Sequence, residues 1–143
     1  MYQVPDFSEK KVYIFGASGS GTTTLGASVA ERTGLVHLDS DDHYWAKVEP
    51  PFSHKNEPAE RVASMSRAIG PAGWVLSGAC HGWAAEIVEQ ADLIVFVTPQ
   101  TDARIKRLIA RERSRFGRRM KTAGAIYRHK KSGLHNRPRL YVA

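Results

Sequence analysis

The sequence predicts an α/β protein built on a doubly wound parallel sheet. Two observations carry this reading. Short β-rich runs alternate with segments of helical composition, as right-handed βαβ units require. One of those runs, Leu93-Ile94-Val95-Phe96-Val97, is apolar without a break, the pattern of a parallel strand covered on both faces.

Taken in order, Lys11 to Phe15 reads as a buried strand that stops at a glycine-rich stretch, Gly16 to Gly21. A helix is predicted over Thr22 to Arg32, with Gly34 placed for a C-cap. Leu35 to Leu38 forms a second short strand ending in the acidic run Asp39-Ser40-Asp41-Asp42. His43 to Asn56, with Pro50-Pro51 and several aromatics, reads as a loop. Pro58 suits a first helical position, and Val62, Met65 and Ile69 continue at helical spacing until Gly70-Pro71. Trp74 to Leu76 is a third strand closing on Ser77-Gly78, Trp83 to Gln90 is predicted helical, and a helix over Thr101 to Arg115 follows Pro99.

The 143 residues suit one domain: a core over 10–116, a basic lid-like or disordered segment over 117–136, and a candidate last strand over 137–143. Cys80 is the only cysteine, which excludes an internal disulfide and a cysteine-cluster zinc site. No stretch has the roughly 18 apolar residues of a membrane span. The amino-terminal MYQVPDFSEKK lacks the apolar centre of a signal peptide, so a cytoplasmic protein with no membrane partner is expected.

Charge is unevenly distributed. Residues 1–103 carry 7 Lys/Arg against 13 Asp/Glu, whereas residues 104–143 carry 14 Lys/Arg against Glu112 alone. A basic third beside an acidic body implies anion handling, and a solvated tail is the other reading.

The glycine-rich stretch is the strongest functional signal. Gly16, Ala17, Ser18, Gly19, Ser20, Gly21, Thr22, Thr23 and Thr24 lie between a predicted strand and a predicted helix, the setting of a phosphate-binding loop. Glycines let backbone amides converge on phosphate oxygens, and the following helix adds its positive N-terminal end. Thr23 falls where a hydroxyl ligates Mg²⁺, while Thr22 occupies the position of the usual lysine. Lys10 and Lys11 sit at the far end of the first strand, so substitute cations are sought in the last predicted helix. There Arg104, Arg107, Arg111 and Arg115 share an arc of about 80° at 100° per residue. Ligand phosphate and bulk water are the two partners such a stripe can have.

Ligands of open α/β sheets bind beyond the carboxyl ends of the strands. The acidic run is delivered there, and Asp41 or Asp39 is expected as a metal ligand or as the base for an acceptor hydroxyl. A helix N-cap or Asx-turn explains the same run. The third strand offers no carboxylate, which shifts metal duty to this cluster. Tyr44, Trp45, Phe52 and Trp83 are candidates to enclose a ring or simply to pack. Cys80 reads as a packed residue, and the histidines show no metal-ligand spacing.

Through Gly16–Thr24, His37-Leu38-Asp39-Ser40-Asp41-Asp42-His43-Tyr44-Trp45, Trp74–Gly78 and Arg104–Arg111, the chain resembles the small-molecule and nucleotide kinase branch of the P-loop NTPases. The likeness is to adenylate-kinase-like and shikimate-kinase-like proteins and to bacterial AAA-family or topology-modulation ATPases, over roughly residues 10–116. It implies a sheet of order 2-3-1-4-5, Mg-ATP at the loop, and a lid after the fourth strand. It also implies ATP contacts from Arg107 and Arg111, a metal-side carboxylate at Asp41, and acceptor contacts from Asp39, Ser77 and Gly78. Together with the residue readings above, Asp41, Arg107 and Arg111 are the catalytic candidates and Trp45 a candidate on the acceptor side. The match ends near Phe116 without the usual final helix, so an incomplete carboxyl end is expected.

Three functions follow as expectations. The first is transfer of the ATP γ-phosphoryl group to a small molecule, nucleotide or nucleoside. The second is nucleotide binding with little transfer, because Thr22 replaces the lysine. The third is nucleic-acid binding through the basic carboxyl-terminal segment.

Overall fold

The computed structural model describes residues 6–116. The basic segment 117–136 and the candidate strand 137–143 lie outside the described residues, as does the side chain of Arg115. The chain divides into two compact units, Met1–Pro99 and Gln100–Ala143.

The first unit holds four parallel strands, β1 (Lys11–Gly16), β2 (Val36–Asp39), β3 (Trp74–Ser77) and β4 (Leu93–Val97). Their order is β2-β3-β1-β4, so the four described strands follow the expected arrangement, and a fifth would fall in the undescribed segment. The helices of this unit are α1 (Thr22–Thr33), α2 (Ser40–Tyr44), α3 (Pro58–Ala68) and α4 (Ala85–Val88). The second unit contributes α5 (Thr101–Phe116). Among the described residues no helix is long and apolar enough to cross a membrane.

Period-two alternation divides the central strands between two cores. Tyr13, Leu38, Trp74 and Leu76 pack with Met65 of α3 and with Cys80, Ala84 and Ile87. Val12, Ile14 and Val75 face the other way, onto Ala30 of α1 and onto Leu35. Trp74, Val75 and Leu76 have no exposed surface, and burying each large apolar side chain stabilises the fold by about 1.5–3 kcal/mol.

Two expectations need correction. The helix predicted over Trp83 to Gln90 is shorter, Ala85–Val88, because residues 80–84 form a turn first, with Ala84 N–H donating to Cys80 O at 2.8 Å. The strand predicted to be covered on both faces is the edge of the described sheet. Val95 and Val97 pack against the α1-side core, but Leu93, Ile94 and Phe96 are 46%, 55% and 44% exposed. β4 has β1 as its one hydrogen-bonded neighbour among the described strands. The C-cap expectation holds: Gly34 takes φ 75° and donates to Ala30 O at 2.8 Å.

Gly26 fixes how closely α1 approaches the sheet. A Cβ there would lie 2.5 Å from His37 Nε2 and 3.1 Å from Ser77 Cβ. In an open helix interior Gly→Ala would gain up to about 1 kcal/mol of stability. Here Gly26→Ala is expected to lose about 1–3 kcal/mol through overpacking, measurable by urea unfolding.

Candidate functional site

Backbone geometry shapes the loop after β1. A Cβ on Gly16 would come 2.6 Å from Val97 O and 2.5 Å from Ser20 Oγ, so only glycine permits this approach to the end of β4. Ser20 N–H closes a turn onto Ala17 O at 3.0 Å. Gly19 and Gly21 then take φ of 79° and 89°, the left-handed region. Gly21 is also the N-cap of α1, and no side chain caps that end. Since Leu25 N–H already bonds Gly21 O at 2.9 Å, the intrahelical ladder leaves the amides of Thr22, Thr23 and Thr24 unused. A 12-residue helix thus presents its positive end behind a glycine loop, the combination that accommodates a phosphate chain.

The end of β2 reaches the same edge of the sheet. Parallel pairing sets Asp39 beside Ser77, and Ser77 beside Ile14 of β1. Thr23 Oγ1 donates to Asp39 Oδ2 at 2.7 Å, and Asp41 N–H donates to Asp39 Oδ1 at 3.0 Å. Asp39 is therefore the N-cap of α2 as well as the partner of the loop hydroxyl. The loop expected from His43 onward begins later than anticipated, because this cap starts a short helix that runs through Tyr44. An antiparallel bridge between Trp45 and Lys55 then pins the excursion, with Ala46 N–H on His54 O at 2.8 Å.

Beside α2 lies a cavity of about 450 Å³, lined by His37, Leu38, Asp39, Asp42, His43, Trp45, Lys47, Asn56 and Ser64. This volume falls in the range of small-molecule sites. Asn56 holds its wall together, donating from Nδ2 to His43 O at 3.0 Å and to Trp45 O at 3.3 Å. His43 Nδ1 is 2.9 Å from Ser64 Oγ. Burial lowers the pKa of His43, opposed by the charges of Asp42 and Asp39 and assisted by Lys47. A neighbouring cavity of about 430 Å³ shares Asp42, Trp45 and Lys47 and adds Asp41, Glu49 and Phe52.

The expected residues are thus distributed over several places. Asp39 and Trp45 share the first cavity, and Asp41 lines the second. Ser77 and Gly78 line neither. Ser77 is fully buried, its Oγ 2.8 Å from His37 Nε2. Gly78 takes φ 110° against the Ser40 side chain, and its carbonyl accepts from Tyr13 Oη at 2.9 Å. Arg107 and Arg111 lie on α5 in the second unit. His43, Lys47, Asn56 and Ser64 were not anticipated. The signal for His43 was its place four residues after Asp39, legible only once Asp39 is taken as a helix cap.

Among the described residues no group of three or more His, Cys, Asp or Glu could hold a metal ion by itself. The donor set fits Mg²⁺ nonetheless, since that ion is usually held by one or two protein oxygens together with substrate phosphates. The Thr23 hydroxyl and Asp39 carboxylate, already 2.7 Å apart, are oxygen donors of that kind.

No family model matches the chain. It is 37% identical over 127 residues to the uncharacterized protein YqaC of Bacillus subtilis (strain 168), covering 88% of this chain and 70% of that one. The chain belongs to the YqaC family. Two solved structures are similar to this YqaC-family chain at low identity. A gluconokinase from Sinorhizobium meliloti 1021 is 18% identical with a TM-score of 0.48, over 71% of this chain and 65% of its own. Shikimate kinase from Acinetobacter baumannii, solved in complex with shikimate, is 19% identical with a TM-score of 0.48, over 69% and 62%. The chain thus spans less than two thirds of the length of either kinase.

Two outcomes test this geometry. Asp39→Ala should cost about 1 kcal/mol in urea unfolding, whereas Asp39→Asn, an equally good cap, should cost no more than a few tenths. Burial pushes the Cys80 thiol up to about 11. Native protein should therefore leave a disulfide reagent unreacted at pH 8 and consume it only after denaturation.

Proposed function

We propose that this chain binds ATP with Mg²⁺ at the Gly16–Thr24 loop and transfers the γ-phosphoryl group to a hydroxyl of a small molecule held beside α2. The observation that carries the reading is the 2.7 Å bond between Thr23 Oγ1 and Asp39 Oδ2. It joins the loop shaped for phosphate to the carboxylate that lines the neighbouring cavity. The kinase-like loop pattern in the sequence supports the same reading.

In this reaction the acceptor oxygen bonds to Pγ, the bond from Pγ to the ADP oxygen breaks, and the hydroxyl proton passes to a carboxylate. Asp39 is the base the geometry favours, because it touches both loop and cavity. Asp41, two residues on, keeps the metal-side role. Bound Mg²⁺ would supply neutralisation of phosphate charge; Thr23 and Asp41 are the residues that would hold it, which leaves Asp39 as the base. The loop amides and the end of α1 position the phosphates, and positioning with charge stabilisation accounts for most of phosphoryl transfer. Trp45 and Asn56 shape the acceptor side.

Thr22 favours a second reading, nucleotide binding with little transfer. The lysine it replaces would neutralise charge between the β- and γ-phosphates. In the first reading another cation takes over that duty, the role that the sequence resemblance implies for Arg107 and Arg111.

Calorimetry with ATP, with and without Mg²⁺, is expected to give a saturable heat; none at millimolar nucleotide would sink both readings. Phosphoryl transfer then separates them. Arg107→Ala and Arg111→Ala are each expected to lower kcat at least about tenfold, an effect equal to about 1.4 kcal/mol of barrier. A Thr22→Lys variant that restores transfer to an otherwise inactive chain would establish the second reading.

A further inference from the structure

The hydrogen bonds around the first cavity determine what can fill it. Ser64 Oγ donates its single proton to Arg61 O at 3.1 Å. With that proton on Arg61 O, the 2.9 Å bond to His43 Nδ1 runs the other way and assigns the ring proton to Nδ1. In the neutral imidazole this leaves Nε2 as an acceptor. Asn56 shows the same polarity: Nδ2 serves His43 O and Trp45 O, which leaves Oδ1 to accept. Asp39 and Asp42 add two carboxylates to the lining. Against these acceptors stands the ammonium of Lys47, which offsets one of the two negative charges. Triphosphate bound at the loop would add further negative charge on the Asp39 side.

A pocket rich in acceptors and slightly negative recognises donors and disfavours anions. We propose that the acceptor substrate is a hydroxyl-rich molecule without a negative charge, one of its hydroxyls donating to His43 Nε2, and that Ser64 positions His43 by fixing its tautomer. The inference rests on the reading that this cavity is the acceptor site. A neutral polyol and an amino-polyol offer the shared chemistry, and a polyhydroxy carboxylate lacks it.

Sorbitol, glucamine and gluconate form a matched set, differing at one end by hydroxymethyl, ammonium and carboxylate. Titrating each into ¹⁵N-histidine-labelled protein, with and without Mg-ATP, should move the His43 ring signals. Sorbitol or glucamine, or both, should bind at least tenfold more tightly than gluconate, the comparison between them showing whether charge adds to hydroxyl recognition. Gluconate binding as tightly as either, or no response to any probe, overturns the proposal.

Before ligand is added, the His43 shifts should show the Nδ1–H form, and Ser64→Ala should mix the tautomers; an Nε2–H form in the native protein also overturns it. His43→Gln, which returns an acceptor near the Nε2 position, should keep most of the affinity for the tighter-binding probe. His43→Asn, which imitates only the Nδ1 side, should lose about tenfold. Equal loss in both counts against recognition through Nε2. Failure to bind ATP would instead strike the parent reading, because the nucleotide-free titrations still report on the pocket.

Discussion

Asp39 stands at the last position of β2 and the first cap of α2, and each of its carboxylate oxygens accepts from a different element. One takes the Thr23 hydroxyl at the start of α1 at 2.7 Å; the other takes Asp41 N–H at 3.0 Å. The direction of α2, the position of the loop hydroxyl and the floor of the cavity therefore share one anchor. Both bonds are exposed to solvent, so their contribution to stability is modest, together about 1 kcal/mol. Their larger consequence is positional. The parallel pairing of β2 with β3 and of β3 with β1 sets the two partners at a common edge before any side chain is considered.

Close packing behind that edge keeps the anchor in register. Gly26 lets α1 lie against His37 and Ser77, so the helix that carries Thr23 is seated on the strands that carry and flank Asp39. The His37–Ser77 pair satisfies two polar groups at a buried position, where an unpaired one would cost about 1–3 kcal/mol. Ser77 thus supports the site from below its surface and Gly78 lets the chain pass Ser40, without either residue lining the cavity. A substitution at such a position disturbs function through geometry and leaves the polar groups available to substrate unchanged.

The parts of this arrangement that are legible in sequence are those governed by local rules. Alternation of apolar runs, the Gly16–Gly21 punctuation, the Gly34 cap and Pro58 at a helix start each depend on neighbours within a few residues. The order of the four described strands is expected from a resemblance of sequence motifs, and Asp39 at the strand end follows from where β2 stops. The histidine was not legible, because His43 reaches the cavity only if residues 40–44 are helical. A five-residue helix carries too little periodicity to announce itself, and Asp-Ser-Asp-Asp suits a turn as well as a cap. Ser64 and Asn56 depend on tertiary pairing of that helix with α3 and with the Trp45–Lys55 bridge, which no local pattern encodes.

The cavity and the glycine loop are electrostatic opposites, and that contrast gives the candidate site its direction. The loop offers amide protons and a helix's positive end, so it favours anions. The neighbouring cavity is lined by Asp39 and Asp42 with Lys47 as the opposing charge, so its net charge is negative and it disfavours anions. Two ligands of opposite hydrogen-bonding character can then occupy adjoining sites without competing, with Asp39 at the boundary between them. A carboxylate at such a boundary would accept a proton from a hydroxyl on one side as that oxygen turns toward a phosphorus on the other. Under the proposed function, the absence of lysine at Thr22 would bear only on the anionic half and would leave selection of the acceptor to the cavity.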